Sequence, residues 1–410
     1  MSNGLAHQVP PIKTQTMEIK LICSLLLCAI VYSCRTTHST MTEPQLHNPI
    51  EYEINSSDQL IDTTIVDESK QNRYEDVVRI DTIKECYESA YSELEAMLSG
   101  RQQLDFKRAV FITENAFFSN RLNYQYYLNT ITTYKEICEV LYSTNHLNAY
   151  IFQDSLNLKK NHAIYTVLKD TVTVNGKRFI PLQYDFESND PKNNWSNSFV
   201  THLLAVGKGN CHSLPYLYKI LANEIGAEVY LSLAPNHLYL KHRSKRLGWY
   251  NTELTSGQFP SDAWVKASGY ITLDAIRNGI YMDTLSQSQS IALCAYDLAM
   301  GYSKKTGRTL DGFILKCCDL TLKHHPQNIN AMILKAETLK KNYEYYVQIK
   351  NNTMANDSFA EMKKLYVTGV QLGYREMPKE MYLEWLETSV KEPDKYENKV
   401  INETLNQHSK

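Results

Sequence analysis

The chain predicts an α+β fold: a helix followed by antiparallel strands at its centre, helices ahead of it, and an α-helical, repeat-like region behind it. Three observations carry this expectation. Leu214, Leu217, Tyr218, Leu221 and Ile225 recur at the spacing of one buried helical face, and Gly226 ends the run. Val229, Leu231 and Leu233, then Leu238 and Leu240, alternate as two strands joined over Ala234-Pro235-Asn236. From residue 286 onward, apolar residues fall at helical spacing between short connections, which implies antiparallel helix neighbours.

Taken in order, residues 1–34 are not part of the fold. Met17 to Lys20 is a short charged head, and Leu21 to Tyr32 is an apolar run too brief for a membrane span, so the segment reads as an export signal with Met17 as the true start. Ser33-Cys34 closes it in the manner of a bacterial lipoprotein box, with Tyr32 as a departure. This resemblance implies that Cys34 is acylated and becomes the mature N-terminus, anchoring the protein to the membrane on the periplasmic side; the competing reading is an uncut signal anchor. Residues 35–78 are rich in Thr, Ser, Asn, Asp and Glu and predict a disordered tether.

The next unit is expected over 79–285. Cys86, Tyr87, Ala90, Tyr91, Leu94 and Leu98 share one helical face before Gly100, and further helices fit 106–118, 123–142 and 147–156. From Ala163 to Leu182 the period changes, and Thr171 to Ile180 predicts a hairpin with Asn175-Gly176 in a type I′ turn. Trp195 to Leu204 reads as an amphipathic helix. Pro260 to Trp264 turns into a short helix, and 271–283 is loop-rich. Helices then fit 290–303, 309–323, 329–346, 358–372 and 379–386 within a region of 286–400. There Asn330-Ala-x-x-Leu-Lys-Ala336, with Pro326 before it and Tyr343 after it, resembles the first helix of a tetratricopeptide repeat. Such helices either hold a peptide or protein partner or cap the preceding unit.

Chemistry concentrates in residues 206–257. Cys211 follows Gly209-Asn210 at the start of the central helix. If Asn210 is the N-cap, Cys211 takes the first helical position, where free N–H groups and the positive dipole end stabilise a thiolate; Pro215 fits better if the helix begins nearer Ser213. His237 starts the second strand. A third strand, Trp249 to Thr255, carries Asn251 and Glu253 on one face. A thiol nucleophile needs a base and a group that orients the base, and these arrive in that order.

The run Gly209-Asn-Cys211, the helix ending at Gly226-Ala227, the hairpin histidine and the Trp249-x-x-x-Glu253-x-Thr255 pattern resemble the core of the transglutaminase-like superfamily of papain-type cysteine enzymes. The upstream stretches Asp105 to Phe111 and Glu114 to Phe117 are similar to a bacterial branch of it. The resemblance spans 208–257 of 410 residues. It implies a papain-like fold with Cys211 as nucleophile, His237 as base and Glu253 as orienter, acting by acyl transfer on amides of protein or peptide substrates, with hydrolysis and transamidation both open. Glu253 departs from the usual aspartate, and Asn251 is its rival, since papain-type enzymes also use asparagine. The alternative is a non-catalytic scaffold lipoprotein whose helices hold a partner.

Other features narrow the field. Hydrophobic residues at 43% suit a chain that buries a sizeable core, and 43 basic against 45 acidic residues without a long basic run exclude a nucleic-acid partner. Of nine cysteines, Cys23, Cys28 and Cys34 belong to the export segment. Cys86, Cys138, Cys211, Cys294, Cys317 and Cys318 show no zinc spacing, so neither a metal nor a cofactor is expected. A Cys86–Cys138 disulfide is allowed in an oxidising envelope. His202, His212 and His242 read as surface or hydrogen-bonded residues, and Gln183 and Trp195 as structural ones.

Overall fold

The computed structural model describes residues 73–144, 155–187 and 195–406. The expected signal with Cys34, the tether up to residue 72 and most of the helix expected over 147–156 lie outside them. Helix α1 (Arg73–Leu98), α2 (Phe106–Phe117), α3 (Tyr124–Thr144) and α4 (Ser155–Lys169) come first. Asp105 caps α2 by accepting the Arg108 N–H at 3.0 Å. Helix α4 corrects the expected change of period at Ala163. Ala163, Ile164, Val167 and Leu168 form a helical stripe, each at most 2% exposed, so the helix persists to Lys169.

The hairpin follows, β1 (Val172–Val174) with β2 (Lys177–Phe179), turned by Asn175 at φ 52° and Gly176 at φ 76°. Two positive φ values in sequence are what a type I′ turn demands. Strand β3 (Gln183–Tyr184) runs parallel to β4 (Lys208–Gly209), and between them lie a 3-10 turn at Trp195–Ser198 and helix α5 (Val200–Val206). The buried Glu114 carboxylate accepts the Val200 and Thr201 N–H groups at 2.7 and 2.8 Å, satisfying the donors that start α5.

Central helix α6 (Ser213–Ile225) packs on the antiparallel sheet of β5 (Tyr230–Ala234), β6 (His237–Ser244) and β7 (Gly248–Thr252). Gly226 at φ 65° ends α6, with the Ala227 N–H returning to the Ala222 carbonyl at 2.7 Å. Ala234 faces His237 across a turn in which Asn236 takes φ 55°. Instead of the expected alternation, β6 is buried without interruption from His237 to His242. α6 covers one side, and returning chain around Met282 supplies partners on the other, Lys241 Nζ donating to the Met282 carbonyl at 3.0 Å.

Short helices α7 (Asp262–Lys266) and α8 (Leu273–Arg277) lead to α9 (Gln287–Thr306), α10 (Phe313–His324), α11 (Ile329–Gln348), α12 (Asn352–Gln371), α13 (Lys379–Lys391) and α14 (Lys399–Asn406). A complete capping box at Ser286 and Gln289 starts α9. Helices α9 and α10 form one hairpin, and α11 with α12 another that has its own core of Leu339, Tyr343, Phe359 and Met362. Helix α9 also lies against α1 and α2, so a single apolar core runs from Ile83 to Leu386 and crosses residue 285 without a break. No helix among the described residues is long and apolar enough to cross a membrane.

Candidate active site

The loop before Cys211 is pinned by backbone. The Gln183 N–H reaches the Gly207 carbonyl at 2.9 Å, and the Asp185 N–H reaches that of Gly209 at 2.7 Å. Gly209 has no room for a side chain, since a Cβ there would lie 2.3 Å from Ser213 Oγ and 3.0 Å from Leu203 Cδ1. That serine hydroxyl is committed: it accepts the Asn210 N–H and donates to the Asn197 carbonyl, both at 3.0 Å. Gly209→Ala is therefore expected to lower stability by about 1–3 kcal/mol through overpacking, read as a fall in melting temperature. An unchanged melt would contradict so tight a loop.

Asn210 Oδ1 accepts the N–H groups of His212 and Ser213 at 2.9 and 3.3 Å, the service expected of a cap, but the helix itself begins at Ser213. Pro215 thus sits in the first turn, where its missing donor does no harm. Cys211 lies just ahead of the helix with its N–H free of any acceptor among the described residues. Its half-buried thiol contacts the Tyr382 hydroxyl at 3.3 Å.

His237 is fully buried. Its Nε2 meets Glu253 Oε2 at 2.6 Å, and Glu253 Oε1 accepts the Thr255 N–H at 2.7 Å. The longer glutamate spans both partners from the end of the sheet. Asn251 is bonded elsewhere, donating to the Pro260 carbonyl and to Asp262 Oδ1 at 3.1 and 2.9 Å, so Glu253 is the group held against the imidazole. Its buried Nδ1 has no hydrogen-bond partner among the described residues, while the nearby Cys211 acts on the ring through its charge. Burial opposes a charged imidazole, but Glu253 and Cys211 together raise the His237 pKa well above its ordinary value. Burial likewise opposes the thiolate, yet bonding and charge from His237, helped by Tyr382, bring the Cys211 pKa below its usual value. The other described cysteines, all free, move the opposite way: burial pushes Cys138 up to about 12 and raises Cys86, Cys294, Cys317 and Cys318.

Several contributors were not legible in the sequence. Trp264 and Trp385 stack at 4.5 Å and meet His237 edge-on at 5.7 and 5.3 Å, while Trp385 Nε1 donates to the Trp264 carbonyl at 2.9 Å. Trp249 of the sequence pattern is instead 48% exposed, beside Tyr230 and Arg243, away from the histidine. His212 stands at the cleft with Nδ1 against the Ser198 carbonyl at 3.0 Å and Nε2 against Asp297 Oδ1 at 3.1 Å. Both partners are acceptors, so both ring nitrogens must donate and the ring is an imidazolium. Burial works against this charge, but Asp297 raises the pKa to about 9. His242 bonds Thr252 Oγ1 at 2.9 Å and is pushed down to about 3 by burial.

Cys211 and His237 open onto a cleft of about 510 Å³, walled by Tyr296 and Met300 of α9 and by Tyr374, Met377 and Tyr382. Trp195 lines it, whereas Gln183 is exposed on β3. Among the described residues no cluster of three or more His, Cys, Asp or Glu side chains could hold a metal ion.

These features define an α+β protein in which a buried His237–Glu253 pair shares a cleft with the half-buried Cys211 thiol. No protein-family model matches the chain. No curated protein matches it. Among solved structures, one entitled "Crystal structure of menin reveals the binding site for Mixed Lineage Leukemia (MLL) protein" is similar over 75% of this chain and 74% of that one. At 12% identity and a TM-score of 0.32, this likeness carries no argument about fold or function.

Proposed function

We propose that the protein is a cysteine acyl-transfer enzyme of transglutaminase-like, papain-like type. Cys211 attacks the carbonyl of an amide, His237 takes and returns the proton, and Glu253 holds the imidazole in register. The observation that carries this reading is the 2.6 Å bond from His237 to Glu253 at a cleft that His237 shares with the Cys211 thiol. Protein or peptide amides are the substrate class, and hydrolysis or transamidation follows according to whether water or an amine meets the acyl-enzyme. The proposal extends to the cell envelope, with Cys34 as the lipid anchor, and to a tetratricopeptide-like role for the helical hairpins in holding a peptide or protein partner.

A scaffold reading draws support from the Tyr382 hydroxyl lying on the thiol, since a covered nucleophile suits a binding module. An activated ester separates the two readings. Incubation with p-nitrophenyl acetate should add one acetyl group by intact mass, located on Cys211 and absent from Cys211→Ala. A protein that stays unmodified while folded would favour the scaffold.

A further inference from the structure

Helix α13 comes from the far end of the chain, yet it completes the wall around the thiol. Its place is held from both sides. Before it, Asn236 Nδ2 donates to the Met377 carbonyl at 3.3 Å; after it, the Ser261 N–H reaches the Tyr396 carbonyl at 2.8 Å and the Asn398 N–H that of Phe259 at 3.1 Å. The Trp385–Trp264 stack locks the middle. Tyr382 is thus a fixed group, and its hydroxyl also interacts with that of Tyr184, which β3 holds directly opposite Gly209.

Resting on the acyl-transfer reading, we infer that Tyr382 is a further catalytic residue, the second donor of the oxyanion site beside the Cys211 N–H. When Sγ bonds to a carbonyl carbon, the π electrons of the carbonyl move onto its oxygen. That oxygen falls within hydrogen-bond reach of a hydroxyl already 3.3 Å from Sγ and of an N–H with no other acceptor among the described residues. As the tetrahedral species collapses, the electrons re-form the carbonyl, the carbon–nitrogen bond breaks, and the His237 imidazolium gives its proton to the leaving amine. A thiolate or an oxyanion only accepts, so Tyr382 must donate to it and Tyr184 must donate to Tyr382. This fixes the direction of the relay. Burial, with Cys211 and Tyr184 nearby, keeps the Tyr382 phenol protonated far above neutral pH, as a donor requires.

The test compares two reactions of the same thiol in the full chain. Acylation by p-nitrophenyl acetate passes through an oxyanion, and alkylation by iodoacetamide does not. Tyr382→Phe should slow acylation by about 10²–10³-fold, while alkylation changes by less than about tenfold. Tyr184→Phe, which leaves Tyr382 in place, should show a smaller loss in the same direction. Acylation equal to wild type, a rise in both reactions, or a proportionate fall in both would overturn the assignment, the last two marking Tyr382 as a cover or a packing group. If the wild type alkylates readily yet is never acylated, the acyl-transfer reading fails and takes this role with it.

Discussion

Glu253→Ala should destabilise the protein by about 3–5 kcal/mol, because it leaves a fully buried imidazole without the carboxylate that pairs with it. The Thr255 N–H loses its acceptor at the same time. A loss of that size is a large part of an ordinary domain's stability of about 5–15 kcal/mol, so the variant should melt far below wild type. Glu253→Gln, which keeps the volume and an acceptor for Thr255, should lose less. The pH dependence has a defined sign. The raised His237 pKa contributes stability that is fully present below 6.5 and is lost as pH rises through the higher folded value. The lowered Glu253 pKa contributes stability present above 4.5 and lost as pH falls through the lower folded value. Wild type should therefore hold a plateau between the two ordinary values, 4.5 and 6.5, that Glu253→Ala lacks. Equal melting across that range would mean that the pair contributes nothing.

Ending the chain at Asp283 should have a larger effect still, since it removes α9 from the faces of α1 and α2. Ile291, Leu293, Leu298 and Tyr302 are each at most 2% exposed. At roughly 1.5–3 kcal/mol for each such side chain, these four alone represent about 6–12 kcal/mol, comparable with the whole stability of a domain. Tyr87 would lose its edge-on contact with Tyr302, and Thr113 Oγ1 its bond to the Cys294 carbonyl. The shortened chain should aggregate and show no cooperative melt. Unchanged melting as a monomer would make residues 286–400 an independent unit.

The same continuity explains how much of the molecule could be read in advance. Cys211, His237 and Glu253 fall in or directly beside one helix and three strands whose periods, glycine stop and tight turn are written locally. Glu253 and Asn251 share a strand face, and only the three-dimensional structure separates them, because Asn251 is taken by Pro260 and Asp262. Helix α4 overran the expected change of period because its β-branched residues also suit a helical stripe when a core lies against it. Tyr382 and Asp297 lie 171 and 85 residues from the groups they touch at the site. Nothing in the helical spacing of 379–386 marks a tyrosine that meets a thiol, since that contact is made by tertiary packing alone.

The reactivity of Cys211 as a function of pH tests the central claim most directly. Iodoacetamide added to the folded protein between pH 5 and 9 should modify Cys211 ahead of Cys86, Cys138, Cys294, Cys317 and Cys318, located by peptide mass. Its advantage should be greatest at low pH, because thiolate persists there only where the thiol pKa has been brought below its ordinary value of about 8.5. His237→Ala should remove that advantage. A Cys211 that stays inert at low pH in the folded protein, indifferent to His237→Ala, would contradict an activated nucleophile and leave the domain a scaffold.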